Sequence, residues 1–364
     1  MLKNGEISPS GLMMLVVGFL LGSSLLFMPG QAAKQDTWAA ITLGTIEGIA
    51  VSLLYCGLAS RFRHETLPQI CTEVYGRYLG TVVGALYLWF LFHLGSLATG
   101  TFEDFVSTVL LPKTPESVIL AVLVVVVTVV VGYGLGAMAR CAQVIVTYVL
   151  FVVCLTVLML LPSFRWARLQ PMLATPLPKL LYFGHATASY PFNEAVAFMM
   201  VLPFVRGKIG STAMVRPLLL AGLFVVLDAF RNTGVLGALS PVQVYSSYTA
   251  VRLIDLAGFF TRLESLVAIN FLATAFIKVT LLLYGVSLGL AQMLGLKSYR
   301  SIVLPVGIFM AALSTVNFDN IGQNIALADR GWPVYAPIFQ IGIPALTLLV
   351  ALVRGLPARE GGGA

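Results

Sequence analysis

Long apolar stretches separated by short polar ones set the pattern of this chain. Ten stretches reach the roughly 20 residues a helix needs to cross the hydrocarbon core of a bilayer. They are 9–35, 37–60, 81–110, 117–135, 137–162, 179–204, 214–238, 263–293, 301–319 and 331–354. Backbone polar groups must be satisfied within each segment in lipid, so helices are predicted, and the alternation of a membrane barrel is absent. The valine-rich run from Val124 to Val131 has strand propensity, but its length and setting favour a helix. Leu67, Ile70, Cys71, Val74, Tyr75 and Tyr78 recur at three- to four-residue spacing. That spacing predicts a short amphipathic helix over 67–78, lying in the membrane interface. The longest connection, 239–262, mixes apolar and charged residues; a lid folded over the protein and an ordered surface loop both fit it.

Composition agrees with a single polytopic domain over 1–364. Apolar residues make up 59% of the chain and charged ones 10%, with a mean hydropathy of +0.94. A soluble domain is about 25% charged. A disordered chain and a nucleic-acid-binding domain are excluded as well. Lys3 before the first apolar run resembles the start of a signal peptide. That run is longer than a cleaved signal and more spans follow it, so a permanent helix is expected. Cys56, Cys71, Cys141 and Cys154 form no CxxC pair and no cluster with the three histidines, so no metal site or cofactor is expected. With ten spans both termini share one side. Placing them in the cytoplasm puts twelve of the 22 Lys and Arg there and nine outside, the sense of the positive-inside rule. The net charge of +7 then reads as topology and lipid contact.

Helix breakers fall near the middle of two spans. The first holds Gly22-Ser23-Ser24 and then Pro29-Gly30; the sixth holds Ser189-Tyr190-Pro191-Phe192-Asn193-Glu194. A proline inside a helix lacks a donor and clashes with the preceding turn. Broken helices persist at membrane depth where the freed groups face protein or a polar cavity. Breaks five spans apart in a ten-span chain predict two inverted five-helix repeats, 9–162 and 179–354, with a binding site between them. Glu47, Glu194 and Lys278 lie within spans two, six and eight. Ionisable groups at that depth face a partner or water and are the leading site candidates.

The run Gly22-Ser23-Ser24-Leu25-Leu26-Phe27-Met28-Pro29 resembles the first helix of amino acid–polyamine–organocation permeases. Tyr190-Pro191-Phe192-Asn193-Glu194 is similar to the sixth-helix motif of spore germination permeases of the GerAB type. Phe260-Thr261-Arg262-Leu263-Glu264, Lys278 and Tyr284, Gly134-Leu135 and Ala139-Arg140 agree with it. The resemblance implies an all-α, LeuT-like fold with helices one and six broken. It further implies the membrane subunit of a nutrient germinant receptor in the inner membrane of an endospore. Such a subunit recognises a small nutrient, usually an amino acid, and works with an A-type membrane subunit and a C-type lipoprotein. Two positions depart from the pattern: Ser24 and Asn193 stand where glycine is usual, adding side chains where backbone would approach a ligand.

For an amino acid ligand, amides around Gly22, Ser23 and Ser24 are expected to take the carboxylate. Carbonyls around Ser189 and Tyr190, with Glu194, would take the ammonium. Tyr190 and Phe192 would close the apolar side, beside Asn193. In the implied fold, Lys278 either replaces a coupling cation, tying helix eight to helix one, or pairs with Glu47 for packing. Asp228, Arg231 and Asn232 are spaced for an internal ion pair or a gate. Three functions compete: a ligand-sensing permease homologue, a proton-coupled amino acid permease with Glu47 or Glu194 as carrier, and an intramembrane enzyme. The third lacks any HExxH or GxSxG motif.

Overall fold

The computed structural model describes residues 6–25, 27–207, 209–210, 212–253, 263–318 and 321–357. The Phe260-Thr261-Arg262 part of the eighth-span motif, Leu26 and the Gly361–Ala364 tail lie outside the described residues. Among the described residues the structure is helical, with one isolated bridge between Ile7 and Val205. Seven helical stretches are long and apolar enough to cross a membrane, and Pro9–Gly22 and Val303–Asn317 are shorter apolar helices. The first and sixth spans fall short because each is broken.

Helix α1 (Pro9–Ser24) opens the chain. A turn follows it, then a 3-10 turn at Gln31–Asp36. Helices α2 (Thr37–Arg61), α3 (Leu67–Tyr75), α4 (Arg77–Phe105), α5 (Glu116–Tyr133) and α6 (Leu135–Leu160) come next. The sixth span is α7 (Leu177–Ser189) continued by a 3-10 run, Phe192–Met200. Then come α8 (Val215–Leu236), the short α9 (Ser246–Val251), α10 (Glu264–Met293) and α11 (Val303–Asn317). The tenth span is a chain of short pieces. Helices α12 (Ile321–Ala326), α13 (Trp332–Pro337) and α14 (Ile343–Val353) are joined by π-helical turns at Leu327–Gly331 and Ile338–Gly342. It begins about ten residues earlier than 331, the start expected from hydropathy.

Helix α10 runs through the centre and is buried along most of its length. Helix α1 lies against it at Gly18 and Gly22: a Cβ on Gly18 would come within 2.8 Å of Ile277 and Val146. Helix α2 meets the sixth span as closely. A Cβ on Gly44 would sit 2.8 Å from the Ala188 amide, and one on Gly48 2.6 Å from the Phe192 Cβ.

With the termini on the cytoplasmic side, as the loop charges predict, the face that carries α3 is the inner one. On the inner face, α3 ends at Tyr75 because Gly76 adopts φ +81°. The amphipathic helix is therefore shorter than 67–78, and Tyr78, 87% exposed, belongs to α4. Thr66 and Gln69 form its capping box, and Thr66 also meets Gln292 of α10 at 2.6 Å. Ile7 donates its amide to the Phe204 carbonyl (2.9 Å) and accepts from the Arg206 amide (2.9 Å), while Glu6 pairs with Arg206 (3.3 Å).

On the outer face, α9 is pinned to α8 by a buried network. Arg231 pairs with Asp228, as an internal ion pair would, and Ser247 donates to the Asp228 carboxylate (2.6 Å). Asn232 donates to Ser247 (2.9 Å), and Arg231 reaches Thr156 of α6 (2.9 Å).

Candidate functional site

The break in the sixth span sits where Pro191 ends α7. Two donors from the tenth span reach the freed Ser189 carbonyl: Trp332 Nε1 (3.1 Å) and Gln340 Nε2 (3.0 Å). The Tyr55 hydroxyl of α2 lies 3.1 Å from the Asn193 carbonyl and 2.7 Å from that of Gln340. Ser189 is fully buried. Its carbonyl was expected to receive a ligand ammonium, but protein donors already hold it. Phe192 packs on α2 at Gly48 rather than on a ligand space. Asn193 donates to Glu47 (3.4 Å).

The break in the first span is laid out differently. Gly22, Ser23 and Ser24 form the last turn of α1, so their amides lie inside the helix. A helix C-terminus offers free carbonyls, whereas free amides belong to an N-terminus. The carboxylate site expected at these three residues is therefore not at a break. Ser24 turns its hydroxyl back onto the Leu20 carbonyl (2.7 Å), and Gly22 serves the close contact with Lys278. The chain departs from the helix directly after Ser24, at Leu25, and turns at Pro29-Gly30. Gly30 adopts φ +69°, and a Cβ there would lie 2.7 Å from the Thr187 hydroxyl. The positive φ and the close approach both require glycine.

Between the two breaks lies a cavity of about 310 Å³, at the lower end of the usual ligand-pocket range of roughly 300–1,000 Å³. Residues Phe27 to Ala32 after α1 form one wall, and Leu94, Leu97, Ala98 and Thr101 of α4 another. Tyr190, Glu194 and Lys278 line it, with Asn324, Asp329 and Trp332 from the tenth span. Residues 241–244 of the long connection also line it. Gln31 holds that segment by donating to the carbonyls of Ser240 (2.8 Å) and Gln243 (3.0 Å). Tyr245 braces it through Asp104 (2.6 Å).

Lys278 and Glu194 form a buried ion pair at 2.6 Å. The lysine also lies over the rings of Phe19 (5.3 Å) and Tyr190 (5.2 Å), where cation–π attraction adds to the pair. The second Glu194 oxygen, Oε1, is buried with no partner. Glu47 is occupied elsewhere: it meets His185 Nδ1 of α7 at 2.9 Å, and His185 Nε2 lies 3.2 Å from the Pro333 carbonyl. The lysine thus pairs with the sixth span, and the expected Lys278–Glu47 packing pair is not formed. Of the residues expected at the site, Tyr190, Glu194 and Lys278 line the cavity. Gly22, Ser24, Ser189, Phe192, Asn193 and Glu47 form its supporting shell, and the side chain of Ser23 lies outside what is described.

The family profile described as "Spore germination protein" (Spore_permease) matches residues 6–320. The chain belongs to this family. Its relatives include spore germination protein KB of Bacillus subtilis (strain 168), 25% identical over 361 residues and 96% of each chain. Spore germination protein YndE of the same organism is 20% identical over 290 residues, 76% of this chain and 78% of the relative. Two solved transporters share the fold of this germination-family chain. One is Mhp1, a nucleobase-cation-symport-1 family transporter, in a closed conformation with bromovinylhydantoin bound. It has a TM-score of 0.67, 11% identity, and coverage of 97% of this chain and 80% of that one. The other is MhsT in complex with L-phenylalanine, with a TM-score of 0.67, 13% identity, and coverage of 97% and 90%. The germination-family chain is therefore an all-α, multi-pass membrane protein of the LeuT-like fold. Its family and fold neighbours point to a germinant-receptor or transporter role rather than an enzyme.

Proposed function

We propose that this chain is the membrane subunit of a spore nutrient germinant receptor, binding a small nutrient, an amino acid, to trigger germination. The cavity between the two breaks, with the Lys278–Glu194 pair in its lining, carries this reading. An amino acid has one anionic and one cationic end. Lys278 attracts the carboxylate, and the unpartnered Glu194 Oε1 accepts from the ammonium. Leu94, Leu97 and Ala98 accept an apolar remainder. Bound ligand then inserts its charges into the pair that joins α10 to the sixth span. Lys278 supplies a fixed positive charge where a coupled transporter would hold a cation.

In this reading the chain lies in the inner membrane of the endospore with both termini in the cytoplasm. It passes the signal to an A-type membrane subunit and a C-type lipoprotein, and residues 9–162 and 179–354 act as its two repeats. A proton-coupled amino acid permease is the second reading, favoured by the transporter fold and by a carboxylate in the cavity wall.

Uptake and binding of labelled L-amino acids by the purified chain in liposomes, with and without a proton gradient, separate the two. Specific binding without uptake, lost in Glu194→Gln, supports the receptor. Saturable, gradient-driven uptake makes the chain a permease. Neither binding nor uptake across the panel overturns the amino acid ligand.

A further inference from the structure

The charges lining the cavity do not cancel. Lys278 and Glu194 neutralise each other. Asp329, on the π-helical turn before Trp332, lines the same space. Its backbone carbonyl receives the Tyr182 hydroxyl at 3.0 Å. Tyr182 precedes Ser189 by seven residues on α7, which places Asp329 about 10 Å outward of the sixth-span break at 1.5 Å per residue. Among the described residues no cation lies within ion-pair distance of the Asp329 carboxylate, and Arg330 beside it is exposed.

A carboxylate partly withdrawn from bulk water, with only the exposed Arg330 beside it to attract it, carries a cost that a cationic group brought by a ligand would offset. The surroundings suit such a group. Trp332, one turn further on, with Phe27 and Tyr190, gives the cavity aromatic faces that attract an ammonium. Asn324, which donates to Thr101 (3.1 Å), adds a side-chain amide to the same lining. The cavity thus carries two anionic poles: the buried, unpartnered Glu194 Oε1 and Asp329 further out.

We propose that Asp329 selects the ligand, and that the cavity takes a basic amino acid. The α-ammonium and carboxylate meet Glu194 and Lys278, the methylene chain runs along Leu94 and Leu97, and the side-chain ammonium meets Asp329. This rests on the amino acid reading above and adds the outer pole to it.

The test is direct binding of three labelled probes to the full chain in lipid nanodiscs: L-lysine, norleucine and pentane-1,5-diamine. Norleucine has a similar apolar chain without the side-chain ammonium, and the diamine lacks the carboxylate. L-Lysine should bind at least tenfold more tightly than norleucine. Asp329→Asn should erase that preference, and Asp329→Glu, which keeps the charge, should retain it, each checked for monodispersity. Norleucine binding as well as lysine, or a preference surviving in Asp329→Asn, overturns the role of Asp329 and leaves the amino acid reading standing. Diamine binding that needs Asp329, without binding of either amino acid, keeps the outer pole and removes the amino acid reading. Binding of none of the three overturns both.

Discussion

The two interrupted spans solve the same problem in opposite ways. Each ends a helix inside the bundle and frees backbone groups that must find partners. At the sixth span the partners are protein: Trp332 and Gln340 reach Ser189, and Tyr55 reaches Asn193. At the first span residues Phe27 to Ala32 line a cavity. One break is therefore a fixed framework and the other a receptive wall. The side chains that a ligand would meet, Glu194 and Lys278, are held from the framework side. Rigid support under a charged pair keeps its geometry before ligand arrives, so less ordering is left for binding to bring about.

The comparison is broken most severely at the charged pair. Glu194→Leu or Lys278→Met alone leaves a buried charge without its partner. Each should destabilise the protein by about 3–5 kcal/mol, with the double variant recovering much of the loss. Thermal unfolding in detergent measures this, and single and double variants of equal stability would refute the pair. Next come the sealing donors. Tyr55→Phe should cost about 1–3 kcal/mol by stranding the buried carbonyls of Asn193 and Gln340, and Gln340→Leu about 1 kcal/mol, because Trp332 still holds the Ser189 carbonyl. Neither residue lines the cavity, so ligand affinity should change far less than stability. Gly48→Leu, which drives a side chain into Phe192, should cost about 1–3 kcal/mol by overpacking.

At the first break the balance reverses. Gln31→Leu and Thr101→Ala should weaken ligand binding severalfold while unfolding shifts little, by about 1 kcal/mol or less for a partly solvated hydrogen bond. A large stability loss there would erase the distinction between framework and wall.

The smallest effect belongs to a control far from both breaks. Burial, and then the neighbouring carboxylate of Glu73, push Glu65 up from its ordinary 4.5 to about 7. An acid whose pKa is higher in the folded state binds extra protons there, so stability falls as pH rises from about 4.5 to about 7. Glu65→Gln should flatten thermal stability across that window and leave ligand binding unchanged.

The framework break was legible because Pro191 sits inside an apolar run, and a buried proline admits few readings. The first break is expected at Gly22-Ser23-Ser24 and then Pro29-Gly30, and α1 does end at Ser24, but the amides of residues 22–24 lie inside its last turn. Gly22, Ser23 and Ser24 suggest interruption, yet a helix tolerates small residues where another helix crosses closely, as α10 does at Gly22. The departure comes at Leu25, and Pro29-Gly30 marks the turn after it. Asn324 and Asp329 were missed because the polar residues between 319 and 330 read as a loop. Ile321, Ile325, Ala328 and Trp332, spaced at three to four residues, carried the helical signal. The Glu47–His185 pairing had no sequence signal. Both helices are apolar on most sides, so hydropathy does not say which faces meet.

The Ile7–Val205 bridge makes one mechanical part of two half-spans. Two backbone hydrogen bonds and the Glu6–Arg206 pair yoke the start of α1 to the end of the sixth span. Both pieces lean on α10, α1 at Gly22 and the sixth span through Glu194. A shift of one half-span at the inner face therefore drags the other, like two levers on a common axle. Spin labels at Ser8 and Phe204 should keep a constant separation while both change distance to Gln292 on α10.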